Sequence, residues 1–286
     1  MEHGSGSSDR HGFISKFILK RKGGTQQDAE YSSSNLPATI LESSISSDRI
    51  DLSSLGIRVL PPQVFPTCGH VVTAKFSGNC LSSLPPQFRS FTALRRLHLD
   101  DNQFDIFPTE IFALGNLSIL SLESNKITAI PAGIAALGGT LSELHLGGNK
   151  IDTIPPEIEA LSCLESLTLA NNNLCSLPSE IGKLTFLREL TLHDNSLSEL
   201  PSSMVTMLNL HSLTLHRNKF HIIPDLLAWL PGLHEVSLYE NPWHPPYDAW
   251  CRMSFSKLVQ RLEFVESAKQ SLPVLEESLG EKLLHR

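Results

Sequence analysis

The nine residues LRELTLHDN, at positions 187–195, carry the pattern that decides the fold. Their leucines and final asparagine mark the frame L-x-x-L-x-L-x-x-N, which returns 23 residues later as LHSLTLHRN at 210–218. The frame ends on asparagine eight times, with six intervals of 23 residues and one of 24: Asn79, Asn102, Asn125, Asn149, Asn172, Asn195, Asn218 and Asn241. A period of this length indicates a solenoid in which each unit packs on its neighbours.

Each position of the frame has a physical reason. The x-L-x-L-x core alternates with period two, so it predicts a short strand with leucines inward and the x positions outward. Stacked units then form a parallel sheet with about 4.8 Å between strands. The asparagine lies where the chain leaves the strand, and its amide can pair backbone groups that the tight turn would otherwise leave unpaired. We therefore assign the eight asparagines a structural role, as a ladder.

A second ladder, of prolines, runs beside the asparagines: Pro61, Pro85, Pro108, Pro131, Pro155, Pro178, Pro201 and Pro224. Proline suits the first position of a helix, where its missing N–H costs nothing. Glu110, Glu157 and Glu180 follow two residues later, where a helix dipole favours a carboxylate. Each unit is therefore predicted to be a strand, a turn and a short convex helix. The prolines add a first, degenerate unit in which Leu55 replaces the asparagine.

The extended pattern L-x-x-L-x-L-x-x-N-x-L-x-x-L-P-x-x-I-x-x-L resembles the intracellular Ras-group class of leucine-rich-repeat proteins, which includes the LAP polarity scaffolds. The resemblance covers residues 48–245, about nine repeats, and departs from the pattern at Leu55, Ala74 and Val236. It implies an α/β solenoid, or horseshoe, with a parallel concave sheet and short convex helices. It also implies a protein-binding scaffold without enzymatic activity.

The chain outside the repeats divides into two segments. Residues 1–47 are rich in Ser and Gly and are predicted to be disordered. Within them, Phe13–Lys22 is either a short basic amphipathic anchor for a membrane surface or partner, or a solvated tail. Residues 246–286 are predicted to form a helical cap, because apolar residues recur at helical spacing from Trp250 to Val265. A second helix at 271–284 either completes the cap or docks a partner, as a degradation adaptor would.

Composition bounds the function and the compartment. The net charge of −7 and the lack of a basic stripe disfavour nucleic acid. No glycine-rich phosphate loop, nucleophile elbow or metal motif is present, so we predict no enzyme and no cofactor. The five cysteines neither cluster at the repeat ends nor show C-x-x-C spacing. They predict a reduced, cytoplasmic protein, with nuclear or peripheral-membrane location as alternatives, and we expect a monomer.

Outward-facing strand positions are the candidate binding surface, because scaffolds of this shape bind with the concave sheet. An early zone carries Lys75, Arg96, His98, Asp100 and Asp101. A middle zone is small and weakly polar, with Ser121, Ser124, Gly147, Gly148, Thr168, Ala170 and Asn171. A late zone carries Glu189, His193, Asp194, His216, Arg217, Tyr239 and Glu240, with Trp243 close by. Aromatic and Arg residues anchor interfaces most often, so the late zone is the first choice.

One pair in the late zone has metal-ligand chemistry. His193 and His216 share a column on adjacent strands, about 4.8 Å apart by backbone, with Asp194 and Tyr239 near. A third ligand with tetrahedral reach is not evident, so we predict no metal. The predicted function is a non-catalytic scaffold that holds a partner protein on the concave face. The alternative is a regulatory subunit for which the resemblance suggests a small GTPase or Ser/Thr phosphatase; a degradation-adaptor substrate receptor is a third.

Overall fold

The computed structural model describes residues 45–46 and 48–264. Ten short strands form one sheet whose spatial order follows the chain. They are β1 (Ile45–Ser46), β2 (Arg49–Asp51), β3 (Thr73–Lys75), β4 (Arg96–His98), β5 (Ile119–Ser121), β6 (Glu143–His145), β7 (Ser166–Thr168), β8 (Glu189–Thr191), β9 (Ser212–Thr214) and β10 (Glu235–Ser237). β1 pairs antiparallel with β2, and every later pairing is parallel. The predicted solenoid with a parallel sheet is confirmed.

The opposite side of each repeat is a short 3-10 helix rather than an α-helix. These helices span Pro62–His70, Pro86–Ser90, Thr109–Ala113, Ala132–Leu137, Pro156–Ala160, Ser179–Lys183, Ser202–Thr206 and Asp225–Trp229. The ladder prolines precede the first helical residue, one position earlier than the sequence suggested. Their carbonyls accept the first helical bond, as Pro178 does from the Ile181 N–H. Most of these helices are five residues long, and 3-10 geometry is common in helical pieces this short.

The core is a continuous stack of aliphatic side chains, to which every repeat adds the same positions. Leu187, Leu190 and Leu192 of the defining frame are at most 1% exposed. Phenylalanines replace aliphatic residues mainly in the early repeats, where Phe88 packs against Phe76 and Phe91. Each repeat buries its apolar side chains against the repeats on either side of it, so the repeats form a single core.

The asparagine ladder joins each repeat to the one before it. The Asn172 side chain accepts from the Ile151 N–H at 2.9 Å and donates to the carbonyls of Leu146 and Leu169. The same pattern holds from Asn79 to Asn241. No buried side-chain polar atom in the described range lacks a hydrogen-bond partner. The structural role assigned to these asparagines therefore has a definite geometry.

The residue before each ladder asparagine has a left-handed backbone, which the sequence analysis missed. Its φ lies between 52° and 70° before all eight asparagines, at Gly78, Asp101, Ser124, Gly148, Asn171, Asp194, Arg217 and Glu240. Ser54, before Leu55 of the first unit, has the same conformation with a φ of 59°. The strand must turn sharply here so that the asparagine can reach inward. Gly78 and Gly148 were the available signal, since glycine adopts this conformation without a steric cost.

The described part of the C-terminal segment closes the last repeat. Helix α1 (Tyr247–Trp250) and the helical residues 255–264, here α2, follow β10. Leu258 and Leu262 are each 2% exposed, and Trp250 and Phe255 pack on the same core. The Phe13–Lys22 segment and the predicted helix at 271–284 lie outside the described residues. Among those described, no helix has the length and apolar character needed to cross a membrane.

Candidate functional site

Strand register aligns the outward side chains into columns along the concave face. The third strand residue gives one column, in which Lys75, His98, Ser121, His145 and Thr168 are successive neighbours. Each strand from β2 to β10 is followed by a buried leucine or phenylalanine, such as Leu192 after β8. The next two residues of each repeat, such as His193 and Asp194, give two more columns. Apart from Glu189, which begins β8, and Trp243, the late zone consists of these residues in the last three repeats, so their side chains lie side by side.

Three aromatic rings of the late zone stack on one another. The His193 and His216 ring centroids are 4.4 Å apart with an interplanar angle of 11°, and those of His216 and Tyr239 are 4.2 Å apart at 14°. The His216 Nδ1 lies 2.7 Å from the Ser237 hydroxyl, which fixes the ring orientation. Tyr239, the last ring of the stack, remains 49% exposed. Burial lowers the pKa of His216, and the neighbouring His193 lowers it further, so His216 favours its neutral form.

A row of charges follows the ring stack in the adjacent column. The Arg217 guanidinium donates from Nε to Glu240 Oε2 at 2.6 Å, and its terminal nitrogen lies 3.7 Å from Asp194 Oδ1. The bond to Glu240 and the charge of Asp194 raise the pKa of Arg217, which therefore stays cationic. Asp194 also accepts from His193 Nδ1 at 2.8 Å. The ring stack and the charged row thus form one connected surface.

Trp243 is placed differently from the rest of the late zone. Its indole N–H donates to the Leu238 carbonyl at 3.0 Å, and its ring stacks on Phe220 at a centroid distance of 6.3 Å. The side chain packs against the core. Trp243 therefore anchors the exit turn beneath the late zone rather than extending its exposed surface.

The early zone is organised around a single carboxylate. Asp100 accepts hydrogen bonds from the Ser121 hydroxyl, the Glu123 N–H at 3.0 Å and the Ser77 hydroxyl at 3.2 Å. His98 lies 3.9 Å away through its Nδ1, and burial lowers the pKa of His98 more than Asp100 raises it. The structure thus connects three successive repeats through Asp100, while Arg96 and Asp101 remain exposed beside it.

The middle zone contains an arrangement that resembles a hydrolase triad. His145 lies 3.2 Å from Glu143 through Nε2 and 3.2 Å from the Thr168 hydroxyl through Nδ1. Acyl transfer also needs N–H donors aimed at the developing oxyanion. The flanking Leu169 and Leu146 N–H groups donate instead to the Thr191 and Thr168 carbonyls. These two N–H groups therefore belong to the pairing between repeats and are not free to bind an oxyanion.

Two further histidine pairs follow the 23-residue repeat. Six of the 12 histidines fall between residues 193 and 244. Besides His193 and His216, the rings of His211 and His234 meet edge-on at 5.7 Å, and those of His221 and His244 stack at 4.7 Å. The spacing of 23 residues in the sequence is the signal for both pairs.

Large apolar side chains are also exposed on the 3-10 helical side and its connecting turns. Phe186, Leu208 and Trp229 are each more than half exposed. The repeat frame identifies buried leucines and gives no information about these positions, because they vary freely between repeats. Sequence alone therefore gives these positions no role.

Comparison with protein families identifies the repeats. A leucine-rich-repeat family model matches residues 115–174. A 54-residue stretch is 41% identical to part of "Probable serine/threonine-protein kinase roco9" of Dictyostelium discoideum. That match covers 19% of this chain and 2% of the Dictyostelium protein, so it shows similarity in the repeats alone.

Solved structures share the solenoid fold over most of this chain. A leucine-rich-repeat protein of Leptospira interrogans superposes with a TM-score of 0.60 and 29% identity, over 77% of this chain and 62% of that one. The ectodomain of the Arabidopsis thaliana receptor kinase GASSHO1/SCHENGEN3, in complex with CASPARIAN STRIP INTEGRITY FACTOR 2, gives 0.62 and 29% over 72% and 26%. The Drosophila Toll–Spatzle complex gives 0.61 and 27% over 70% and 28%. The chain spans less than two thirds of each, and its repeats are leucine-rich repeats.

Proposed function

We propose that this leucine-rich-repeat protein is a non-catalytic scaffold that binds a partner protein on the concave face, through the late zone. A solenoid of this kind offers one extended concave surface. Two of the structural neighbours are solved as complexes with protein ligands, which supports a protein partner here.

The single observation that carries the proposal is the exposed end of the ring stack beside the charged row. Tyr239 has one ring face against His216, while nearly half of its surface remains accessible. Arg217 and Glu240 lie next to it. Aromatic residues contribute large contact areas with little loss of side-chain entropy, and Tyr and Arg are enriched among residues that dominate binding energy. Stacking on His216 fixes the tyrosine before a partner arrives, which reduces the ordering cost of binding.

The early zone supports a different role. Its central carboxylate already has three hydrogen-bond donors from the protein itself. A partner would have to replace these bonds to use Asp100, so little binding free energy would be gained. We therefore assign Asp100 to holding the turns in place and keep Arg96, His98 and Asp101 as a secondary surface.

The partner's identity is a finer proposal. A regulatory-subunit role toward a small GTPase or a Ser/Thr phosphatase rests on the resemblance of the repeat pattern to the Ras-group class. A substrate receptor of a degradation complex would require residues 271–284 to dock the remaining subunits. The reduced, cytoplasmic setting likewise rests on the cysteine pattern of the sequence.

The test is proximity labelling in intact cells with three forms of the full chain: wild type, Arg217→Glu/Tyr239→Ala and Arg96→Glu/His98→Ala. Both double variants change one arginine and one ring on the concave face, so the early pair is a matched control. We expect proteins labelled by wild type to be lost from the late variant and retained by the early one. Loss from the early variant with retention by the late one would overturn the proposal. Unfolding midpoints of all three forms separate binding loss from misfolding.

A further inference from the structure

We propose that His193, Asp194 and His216 form a binding site for a divalent transition-metal ion such as Zn²⁺. One ligand atom from each of the three side chains can be chosen so that all lie within 4.8 Å of one another. The sequence placed the two histidines in one column and lacked a third ligand. The structure supplies it, because Asp194 turns its carboxylate toward the His193 ring.

The closest pair of ligand atoms already has a spacing that a metal ion can bridge. His193 Nδ1 and Asp194 Oδ2 are 2.8 Å apart. Zinc bonds imidazole nitrogen and carboxylate oxygen at about 2.0–2.2 Å, so one ion can contact both atoms. In the metal-free form the carboxylate only accepts, so Nδ1 carries the imidazole proton. On binding, that proton moves to Nε2 of the same ring, and the Nδ1 lone pair and the carboxylate face the ion.

His216 completes the set after a small rearrangement. Its ring lies parallel to His193 at 4.4 Å, so the two rings do not yet direct their lone pairs to one point. Two ligand atoms on a tetrahedral zinc ion are separated by about 3.3 Å. The ligand atoms of the three side chains lie within 4.8 Å of one another, so the His216 ring must tilt toward its neighbour to bind the same ion. The ring is partly exposed, and one hydrogen bond to Ser237 holds it. That bond is the interaction the tilt must break or adjust.

The donor set indicates the class of ion. Two imidazoles and one carboxylate suit zinc and neighbouring transition metals, and disfavour Ca²⁺ and Mg²⁺, which prefer oxygen ligands. Three protein ligands leave a fourth position for water or another molecule.

The other histidine pairs provide an internal control. His221 and His244 stack at 4.7 Å, nearly the spacing of His193 and His216. His221 Nδ1 lies 2.8 Å from the Pro242 carbonyl instead of a carboxylate. Surface histidines that bind metal without a built site would give both pairs similar affinity. The proposal requires the pair beside Asp194 to bind more tightly.

The experiment is isothermal titration calorimetry of the untagged full chain with ZnCl₂. We expect one saturable site per chain, weakened at least about tenfold by His193→Asn/His216→Asn and by Asp194→Asn, and unchanged by His221→Asn/His244→Asn. Circular dichroism of each variant confirms the fold. Equal loss in both histidine pairs, or no saturable site in wild type, would overturn the proposal.

Arg217 allows this site to be separated from the proposed partner surface. Its guanidinium lies 3.7 Å from Asp194 Oδ1 and repels a nearby cation. Arg217→Gln should therefore bind Zn²⁺ about threefold more tightly, whereas the same change should weaken partner binding. Weaker zinc binding in Arg217→Gln would contradict the site, independently of the result for the partner.

Discussion

The early and late zones of the concave face use the same backbone positions for different purposes. In the early zone, Asp100 accepts three hydrogen bonds and joins successive repeats. In the late zone, the residues of that column are His193, His216 and Tyr239, which stack as rings and leave Tyr239 half exposed. A carboxylate at this position receives its hydrogen bonds from the protein itself. A ring at this position exposes apolar surface that a partner can contact. The column therefore supports either cohesion between repeats or recognition of a partner.

The largest expected effect concerns the ladder on which both zones depend. Asn172→Ala removes the acceptor of the buried Ile151 N–H and the donor to Leu146 and Leu169 carbonyls. Leaving these groups unpaired should lower the free energy of unfolding by about 2–4 kcal/mol. Asn173→Ala is the matched control, since its exposed side chain makes only a 3.5 Å contact with the Lys150 carbonyl. Urea unfolding checks both, and equal effects would contradict the structural role of the ladder.

The next effect tests whether the early zone is structural. Asp100→Ala should reduce the free energy of unfolding by about 1–3 kcal/mol, because the Glu123 N–H and two hydroxyls lose their acceptor. Glu189→Ala, an exposed change in the late zone, should stay within about 0.5 kcal/mol. If denaturant titrations show Asp100→Ala to be as mild as Glu189→Ala, the contrast between the zones fails.

Stability should also depend on pH in both zones. Burial lowers the pKa of His98 and of His216 from the ordinary value of 6.5. Below that pH, the unfolded chain therefore binds more protons than the folded chain does. The stability that the neutral rings contribute above pH 6.5 is lost as the pH falls through the pKa values of the folded state. Glu123 acts in the opposite sense. Burial raises its pKa from 4.5, so its contribution is present below that pH and is lost as pH rises through the folded pKa.

Thermal unfolding at about pH 7.5 and pH 5.5 tests this account, because the window spans the ordinary histidine pKa. We expect the midpoint to fall on acidification. His98→Asn and His216→Asn should each reduce that fall, because burial disfavours the charged form of either ring. A steeper fall in either variant would show that the ring is stabilised in its charged form.

The smallest expected effect on stability separates the charged row from the fold. Glu240→Gln removes the carboxylate that pairs with Arg217, and both groups are solvent-exposed. Exposed ion pairs contribute little to stability, so the unfolding midpoint should not change measurably. The same variant should weaken partner capture, since Arg217 loses the group that orients it. A clear loss of stability would assign this row to the fold instead of to binding.

The sequence predicts the repeat far better than the surface. The leucines and asparagines fix strand, turn and sheet order because each has one buried environment, repeated nearly identically. The left-handed residue before each asparagine has no common sequence signal, because residues other than glycine occupy six of the eight positions. Proline spacing predicts a helical turn but not its 3-10 geometry, because proline at a helix start does not distinguish the two kinds of helix.

The candidate site could be predicted only in outline. Period 23 places His193 and His216 side by side, but the stacking with Tyr239 and the orientation of Asp194 depend on side-chain rotamers. Asp100 and Trp243 were included in the binding surface on residue type alone. Their internal hydrogen bonds, which the sequence does not show, give them structural roles as well.

The most direct test of the late zone as the binding surface is site-specific photocrosslinking in cell extract. A photoreactive phenylalanine analogue would replace Tyr239 in one form of the full chain and His98 in a second form. We predict a discrete crosslinked partner from position 239 and none from position 98, with both proteins folded. A partner crosslinked from position 98 and absent from position 239 would contradict the division between the two zones.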